Sequence, residues 1–335
     1  MKKYIHIILF IVLPVLLKAQ LITGKVMRLG DNSLIPNASV YFSGSVKGTR
    51  TDSLGTFKLF TTQTNVPIIV SCVGYYSATI TDYTAGKLYM VYLKPKENMM
   101  RMVQIGNDGM SREQKIAIFK REFLGTSTYG LNCTITNMDD IDLDYNKKKD
   151  ELTASCNNAI MIKNKLLGYT LTYYLDSFSR TSANLQYAGN YLFKEDMPVV
   201  AKEVKKIQKE REKAYSDSRM HLIRAIWSRT VGDSEFTIYD SLYEKIRVVD
   251  ILVANSKGDM FINLKGPIHI TYKGNNRYIT NIKQKETYSY VNERGFYGTG
   301  LAWSGAMSAQ RIGDMLPFEY VSPQDIIPKQ SRIKQ

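Results

Sequence analysis

Histidine is scarce in this sequence, and its spacing limits the chemistry available. The three residues are His6, His221 and His269. A hydrolytic zinc site of the H-x-x-E kind needs a carboxylate three residues after a histidine, a distant third ligand and an open position for water. Arg224 stands three residues after His221, and Tyr272 three after His269. A serine hydrolase elbow, G-x-S-x-G, fails at Trp303-Ser304-Gly305, because Ala302 occupies the first glycine position. The glycines of Gly295-Phe296-Tyr297-Gly298-Thr299-Gly300 lack the following lysine and the strand-to-helix setting of a phosphate loop. They read as a flexible aromatic loop that can line a pocket. No residue is assigned a catalytic, cofactor-binding or metal-ligating role, and no cofactor is expected.

Two further groups have chemical character. Asp139, Asp140, Asp142 and Asp144 include three alternate residues, which on a strand share one face about 7 Å apart and repel unless a cation answers them. An EF-hand loop would need glycine where Tyr145 stands and a later glutamate in register. Lys147, Lys148 and Lys149 follow at once and can neutralise the acids across a turn. Tyrosine is abundant, at 23 residues. Aromatic surfaces suit glycan and peptide binders, and half-buried strand tyrosines account for the same abundance.

The elements that would position these residues begin after an export signal. Lys2 and Lys3 precede an apolar run from Ile5 to Leu17, and Ala19 offers a cleavage site. Residues 1–19 therefore read as a signal peptide rather than an uncleaved anchor, the run being short of the roughly 20 apolar residues a spanning helix needs. The absence of a cysteine at the cut disfavours a lipid anchor. The formal charge of +14 falls to +11 without Lys2, Lys3 and Lys18. Such a surplus suits anionic envelope surfaces or a merely solvated surface, and nucleic acid is not an expected partner of an exported chain. Cys72, Cys133 and Cys156 are too few for a disulfide scaffold. Either Cys133 and Cys156 pair or all three stay free thiols.

Residues 20–95 read as an all-β sandwich. Short strands are expected at 21–28, 38–43, 47–51, 56–61, 67–72, 77–81 and 88–93, with Val40, Phe42, Phe57 and Val70 inside. Turn residues separate them, notably Gly30-Asp31-Asn32-Ser33 and Asp52-Ser53-Leu54-Gly55. Asp52 reads as a turn aspartate before it reads as a calcium ligand. Four segments carry a resemblance: Gly24-Lys25-Val26, Leu34-Ile35-Pro36-Asn37-Ala38-Ser39-Val40, Gly48 to Phe57, and Val73-Gly74-Tyr75. In their order they resemble the carboxypeptidase-regulatory-like domain. That resemblance implies a prealbumin-like sandwich used as a non-catalytic module in bacterial envelope proteins.

Residues 96–111 read as a polar, Met-rich linker, and 112–316 as a larger, strand-rich α+β domain. Helices are expected at 112–123, 199–213 and 220–227, the second mostly solvent-facing and the third capped by Asp217 or Ser218. Strands are expected at 131–137, 141–145, 152–156, 159–163, 167–178, 183–193, 260–264, 268–272 and 287–291. Residues 317–335 read as a loosely packed tail. Phe119 to Gly125, Asn164 to Tyr169 and Arg311 to Pro317 resemble exported proteins that append an uncharacterised region to the same sandwich. The functional expectation is a non-enzymatic accessory or binding protein of the periplasm or outer membrane, its sandwich contacting an envelope protein or glycan, with peripheral membrane association open. The alternative is a hydrolase or glycan-active protein with its site in the C-terminal region.

Overall fold

The computed structural model describes residues 20–61, 66–96, 109–276 and 279–326. The expected signal peptide, most of the expected linker and residues 327–335 lie outside them. The seven N-terminal strands form where alternation and turn chemistry place them: β1 (Gln20–Arg28), β2 (Ser39–Phe42), β3 (Gly48–Arg50), β4 (Thr56–Thr61), β5 (Ile68–Ser71), β6 (Ala78–Ile80) and β7 (Leu88–Leu93). They make two sheets, ordered β4-β1-β7 and β3-β2-β5-β6. Val40, Phe42, Phe57 and Val70 are all buried between them, with Ile22, Val26 and Leu93. Asp52 serves the turn: its carboxylate accepts from the backbone N–H of Leu54 at 2.9 Å and of Thr56 at 2.8 Å. Gly55 has φ +68°, and a Cβ there would come within 2.7 Å of the Val26 carbonyl.

The two sheets differ in their outer faces. Strands β4 and β7 alternate between buried and exposed residues, as expected of a sheet with one wet face. Strands β2 and β5 are buried along their whole length, which requires cover on both sides. That cover is the rest of the chain.

The first part of that remainder contains α1 (Arg112–Leu124), α2 (Thr128–Leu131), β8 (Cys133–Ile135), β9 (Ile141–Asn146), β10 (Glu151–Cys156), β11 (Ile160–Asn164), β12 (Tyr169–Arg180), β13 (Leu185–Glu195) and α3 (Ala201–Tyr215). The sheet order is β8-β11-β12-β10-β9, with β13 along the other edge of β12. Helix α1 forms under a capping box, Ser111 and Gln114 satisfying each other's backbone N–H groups, and packs Phe119 and Phe123 on Phe178 and Tyr173. The second part contains α4 (Arg219–Trp227), β14 (Phe236–Tyr239), β15 (Leu252–Ala254), β16 (Met260–Ile262), β17 (Ile268–Tyr272), β18 (Thr280–Gln284), β19 (Ser289–Val291), β20 (Leu301–Gly305) and α5 (Pro323–Ile326). Its sheets are β14-β17-β18-β20 and β15-β16-β19.

The larger region is built on two hydrophobic cores, one around Phe119, Phe123 and Leu171 and another around Leu222, Phe236 and Ile270. Several expectations need correction. Residues 128–131 are helical, since Ser127 caps them by accepting from Gly130 N–H. The C-terminal half of α3 is buried at Ile207, Arg211, Ala214 and Tyr215. The tail is not loose over residues 317–326: Arg224 donates to the carbonyls of Phe318 and Tyr320, and Phe318 N–H donates to the Gly44 carbonyl at 2.9 Å.

Several contacts fix the sandwich on the larger region. Tyr41 stacks on Tyr174 at 6.2 Å between ring centroids, and the Tyr174 hydroxyl lies 3.0 Å from Ser39 Oγ. The turn after β2 pairs with β13, Gly44 N–H donating to the Tyr191 carbonyl at 2.8 Å and Phe193 N–H to the Ser45 carbonyl at 2.9 Å. Lys96 extends from the sandwich to donate to the carbonyls of Cys156, at 3.0 Å, and Leu175, at 2.9 Å. This last contact answers a local gap. Along one side of β12, β11 pairs only as far as Tyr173 and β10 only from Phe178, so the carbonyl of Leu175 has no strand partner there. A residue expected in a linker therefore completes a sheet.

Candidate functional site: a cleft at the junction

A cleft of about 880 Å³ opens where the β2–β3 turn, α4 and the C-terminal segment meet. Helix α4 begins where Ser218, rather than Asp217, caps it by accepting from His221 N–H at 3.1 Å. Leu222, Ile223 and Ile226 turn into the core, and the spacing of His221, Arg224 and Trp227 brings those three to the cleft wall. Lys47 contributes the sandwich side, and Phe318, Glu319, Tyr320 and Asp325 the C-terminal side.

Several charged groups of the wall are held in place by partners. Arg224 Nη1 reaches Asp325 Oδ2 at 3.0 Å, and its Nη2 donates to the carbonyls of Phe318, at 3.2 Å, and Tyr320, at 2.8 Å. Its guanidinium lies 5.3 Å from the Tyr215 ring centroid. Asp325 Oδ1 accepts from the Tyr215 hydroxyl at 3.0 Å. Glu319 accepts from Ser45 Oγ and from Val46 N–H and stands 3.8 Å from Arg294, so one carboxylate ties the sandwich turn to the C-terminal segment. The lining includes five acids, Asp233, Glu235, Glu293, Glu319 and Asp325, against Lys47, Arg224 and Arg294, an acidic surplus in a basic chain.

His221 is 4% exposed and sits against Tyr215 at 4.7 Å and Phe236 at 4.9 Å between centroids. Burial pushes its pKa down to about 4, so the imidazole is neutral near pH 7. Its Nδ1 is buried with no hydrogen-bond partner. A general base in nucleophilic catalysis is held by an orienting partner and reaches a nucleophile. Among the described residues the His221 ring has no hydrogen bond of either kind. His269 stands elsewhere: its ring stacks on Tyr243 at 4.4 Å and its Nδ1 lies 2.5 Å from Asn281 Oδ1. His269 and Tyr272 are three residues apart on β17 and so face opposite sides of the sheet, while His221 packs on the Tyr272 side. The sheet keeps the two imidazoles apart.

The other sequence-derived candidates also resolve into structure. Asp139 and Asp140 lie in a 3₁₀ turn rather than on β9, and Asn137 Nδ2 donates to Asp140 at 2.9 Å. No group of three or more metal-ligating side chains occurs among the described residues. Ser304 is an exposed strand residue on β20. Of the aromatic glycine loop, Phe296 packs on Phe318 at 5.8 Å, and Gly295 and Tyr297 line a small pocket of about 90 Å³. Cys156 ends β10, whereas Cys133 on β8 pairs opposite Asn164 at the far end of β11, so the length of β11 separates the two thiols and no disulfide joins them. All three cysteines are free thiols, and burial pushes Cys133 up to about 12 and Cys156 up to about 11.

The three C-terminal motifs meet at one point. Arg311 Nε donates to the Glu122 carbonyl at 3.1 Å, and Asn164 Nδ2 donates to the Gly313 carbonyl at 2.9 Å. Gly313 packs so tightly that a Cβ there would lie 2.5 Å from Gly130 Cα and 2.6 Å from the Leu124 carbonyl. Segments separated by up to 189 residues are thus joined by side-chain-to-backbone hydrogen bonds and close packing at Gly313. The motifs encode packing, whereas the cleft left no local signal because its wall is assembled from four separate stretches.

Comparison with known proteins adds the following. Residues 22–105 match the family model of the CarboxypepD_reg-like domain. No curated protein matches the chain. A DUF3823 family protein from Bacteroides ovatus ATCC 8483 aligns at 8% identity over 86% of this chain and 99% of its own, with a TM-score of 0.19. A Bacteroides fragilis NCTC 9343 protein, described as a candidate membrane-associated protein of unknown function, aligns at 10% identity over 86% and 95%, with the same TM-score of 0.19. Scores at this level do not decide a shared fold. The chain thus carries a carboxypeptidase-regulatory-like domain at residues 22–105, followed by a further C-terminal region.

Proposed function

We propose that this chain is a non-enzymatic accessory or binding protein of the cell envelope, in which the sandwich shapes a ligand cleft on the larger region. The carrying observation is the construction of that cleft. Arg224 is already paired with Asp325 and with the carbonyls of Phe318 and Tyr320, and Glu319 with Ser45 and Val46, while Trp227, Phe318 and Tyr320 supply apolar and aromatic wall. Groups fixed before a ligand arrives lose little entropy on binding, which is what a recognition site gains from such pairing. The envelope assignment rests on the signal-like N-terminal pattern and on the regulatory-like domain.

The test is a screen of purified mature protein against peptide, ester and glycan libraries, reading both thermal shift and turnover. The expected result is a ligand that raises Tm in the parent, loses that effect in Trp227→Ala, and is returned unchanged. Turnover that survives repurification and vanishes on replacing His221 or one cleft carboxylate would instead establish the hydrolase or glycan-active alternative.

A further inference from the structure

Among the described residues no further layer covers the outer face of the β4-β1-β7 sheet. Its register brings Phe60 beside Leu21, Thr23 between Lys58 and Leu88, Lys25 between Thr56 and Met90, and Met27 beside Tyr92. Four of these large side chains are open to solvent: Phe60 at 66%, Leu88 at 60%, Met90 at 48% and Tyr92 at 44%. Leu29, also exposed, continues the patch, its N–H bonded to the Leu93 carbonyl at the end of β7. Contiguous exposed apolar surface of this kind marks a contact surface on a soluble fold.

Its charge indicates what the face contacts. The three strands carry no acid, and Lys25 and Lys58 project from the same face as the apolar residues. Lys87 and Lys94 flank β7. Protein interfaces deplete lysine at their centres. At a lipid surface, lysine instead lays its stem along apolar neighbours and meets anionic headgroups, beside aromatic rings that favour the interface. A second copy of the chain on this face would oppose lysine with lysine. We propose that this sheet face docks on an anionic bilayer surface, inserting Phe60, Leu88, Met90 and Tyr92 at headgroup depth. The opposite sheet is buried against the larger region, so the docked sandwich holds that region on the side away from the lipid. The inference builds on the envelope reading and is independent of what occupies the cleft.

Co-sedimentation of mature protein with phosphatidylcholine vesicles, with and without phosphatidylglycerol, tests it. Partition is expected onto the anionic vesicles only, falling as salt rises. Phe60→Ser with Tyr92→Ser is expected to lower that partition at least tenfold while Tm stays near the parent's, because both side chains are exposed. Lys25→Ala with Lys58→Ala is expected to lower it by roughly tenfold or more, at about 1 kcal/mol per lysine. Lys205→Ala with Lys209→Ala, an equal charge loss on exposed positions of α3, is the control and should have a much smaller effect. Equal losses from both lysine pairs, undiminished partition of the Phe60/Tyr92 variant, or no partition would overturn the proposal. Capture of a defined acidic protein through this face, without vesicle binding, would also overturn it and reassign the surface. A failed vesicle experiment leaves the cleft's ligand screen unaffected, so the two readings fail separately.

Discussion

At the scale of single residues, burial decides most of the chemistry. His221 binds a proton less readily in the fold than in the unfolded chain, its pKa falling from 6.5 to about 4. The unfolded state therefore takes up more protons between those values, and stability falls as pH drops from about 6.5 to about 4. The contribution present at neutral pH is on the order of 3 kcal/mol and is gone by pH 4. Urea unfolding at pH 7 and pH 5 should show the fall, and His221→Phe should flatten it. The cysteines give a second residue-level expectation. Cys133 and Cys156 are free and their thiols raised by burial. Non-reducing mass analysis of native protein should find no bridge, and alkylation after denaturation should modify three thiols per chain; a Cys133–Cys156 peptide would show that the β8–β11 register is wrong.

At the scale of elements, one buried aromatic and one lysine test the architecture. Phe57 is 1% exposed in the sandwich core. Phe57→Ala should cost roughly 3 to 5 kcal/mol, and an unchanged melting curve would refute the β4 register. Lys96 supplies donors to two carbonyls where β10 and β11 part from β12. Burial lowers its pKa, and burial raises that of the neighbouring Asp176, whose charge in turn favours protonated Lys96. Lys96→Met removes those donors while keeping most of the stem. Hydrogen bonds to charged groups are worth about 1.5 to 3 kcal/mol each, and a loss of at least that size is expected in urea unfolding. Hydrogen exchange should localise the change to the middle of β12, near Leu175.

At the scale of the whole molecule, the sandwich and the larger region share hydrogen bonds, a stacked tyrosine pair and the Glu319 tie to Ser45 and Val46. A single calorimetric transition is the expected outcome. Gly44 is the position to perturb: it has φ +80°, and a Cβ there would come within 2.7 Å of Phe318 Cε2. Gly44→Ala should cost about 1 to 3 kcal/mol through crowding and backbone strain. It should also split the transition by freeing the turn from β13. Two transitions in the parent protein would mean the units are thermodynamically independent.

By itself the sequence determined the sandwich, because alternate residues such as Phe57 and Leu59 and turn residues such as Asp52 and Gly55 act over a few positions. It also placed α1, α4 and the long strands β12 and β13, whose patterns are local. The polar strand β18 carried little such pattern, and β14, β15 and β20 were likewise not read. Only the tertiary structure decided that β2 and β5 are buried on both faces, that Lys96 belongs to a sheet rather than a linker, and that residues 317–326 are packed. It alone divided the larger region into two cores and brought His221, Arg224, Glu319 and Asp325 into one cleft. The physical reason is common to all of these: each depends on contacts between segments tens to hundreds of residues apart, and no local periodicity records which surfaces will meet.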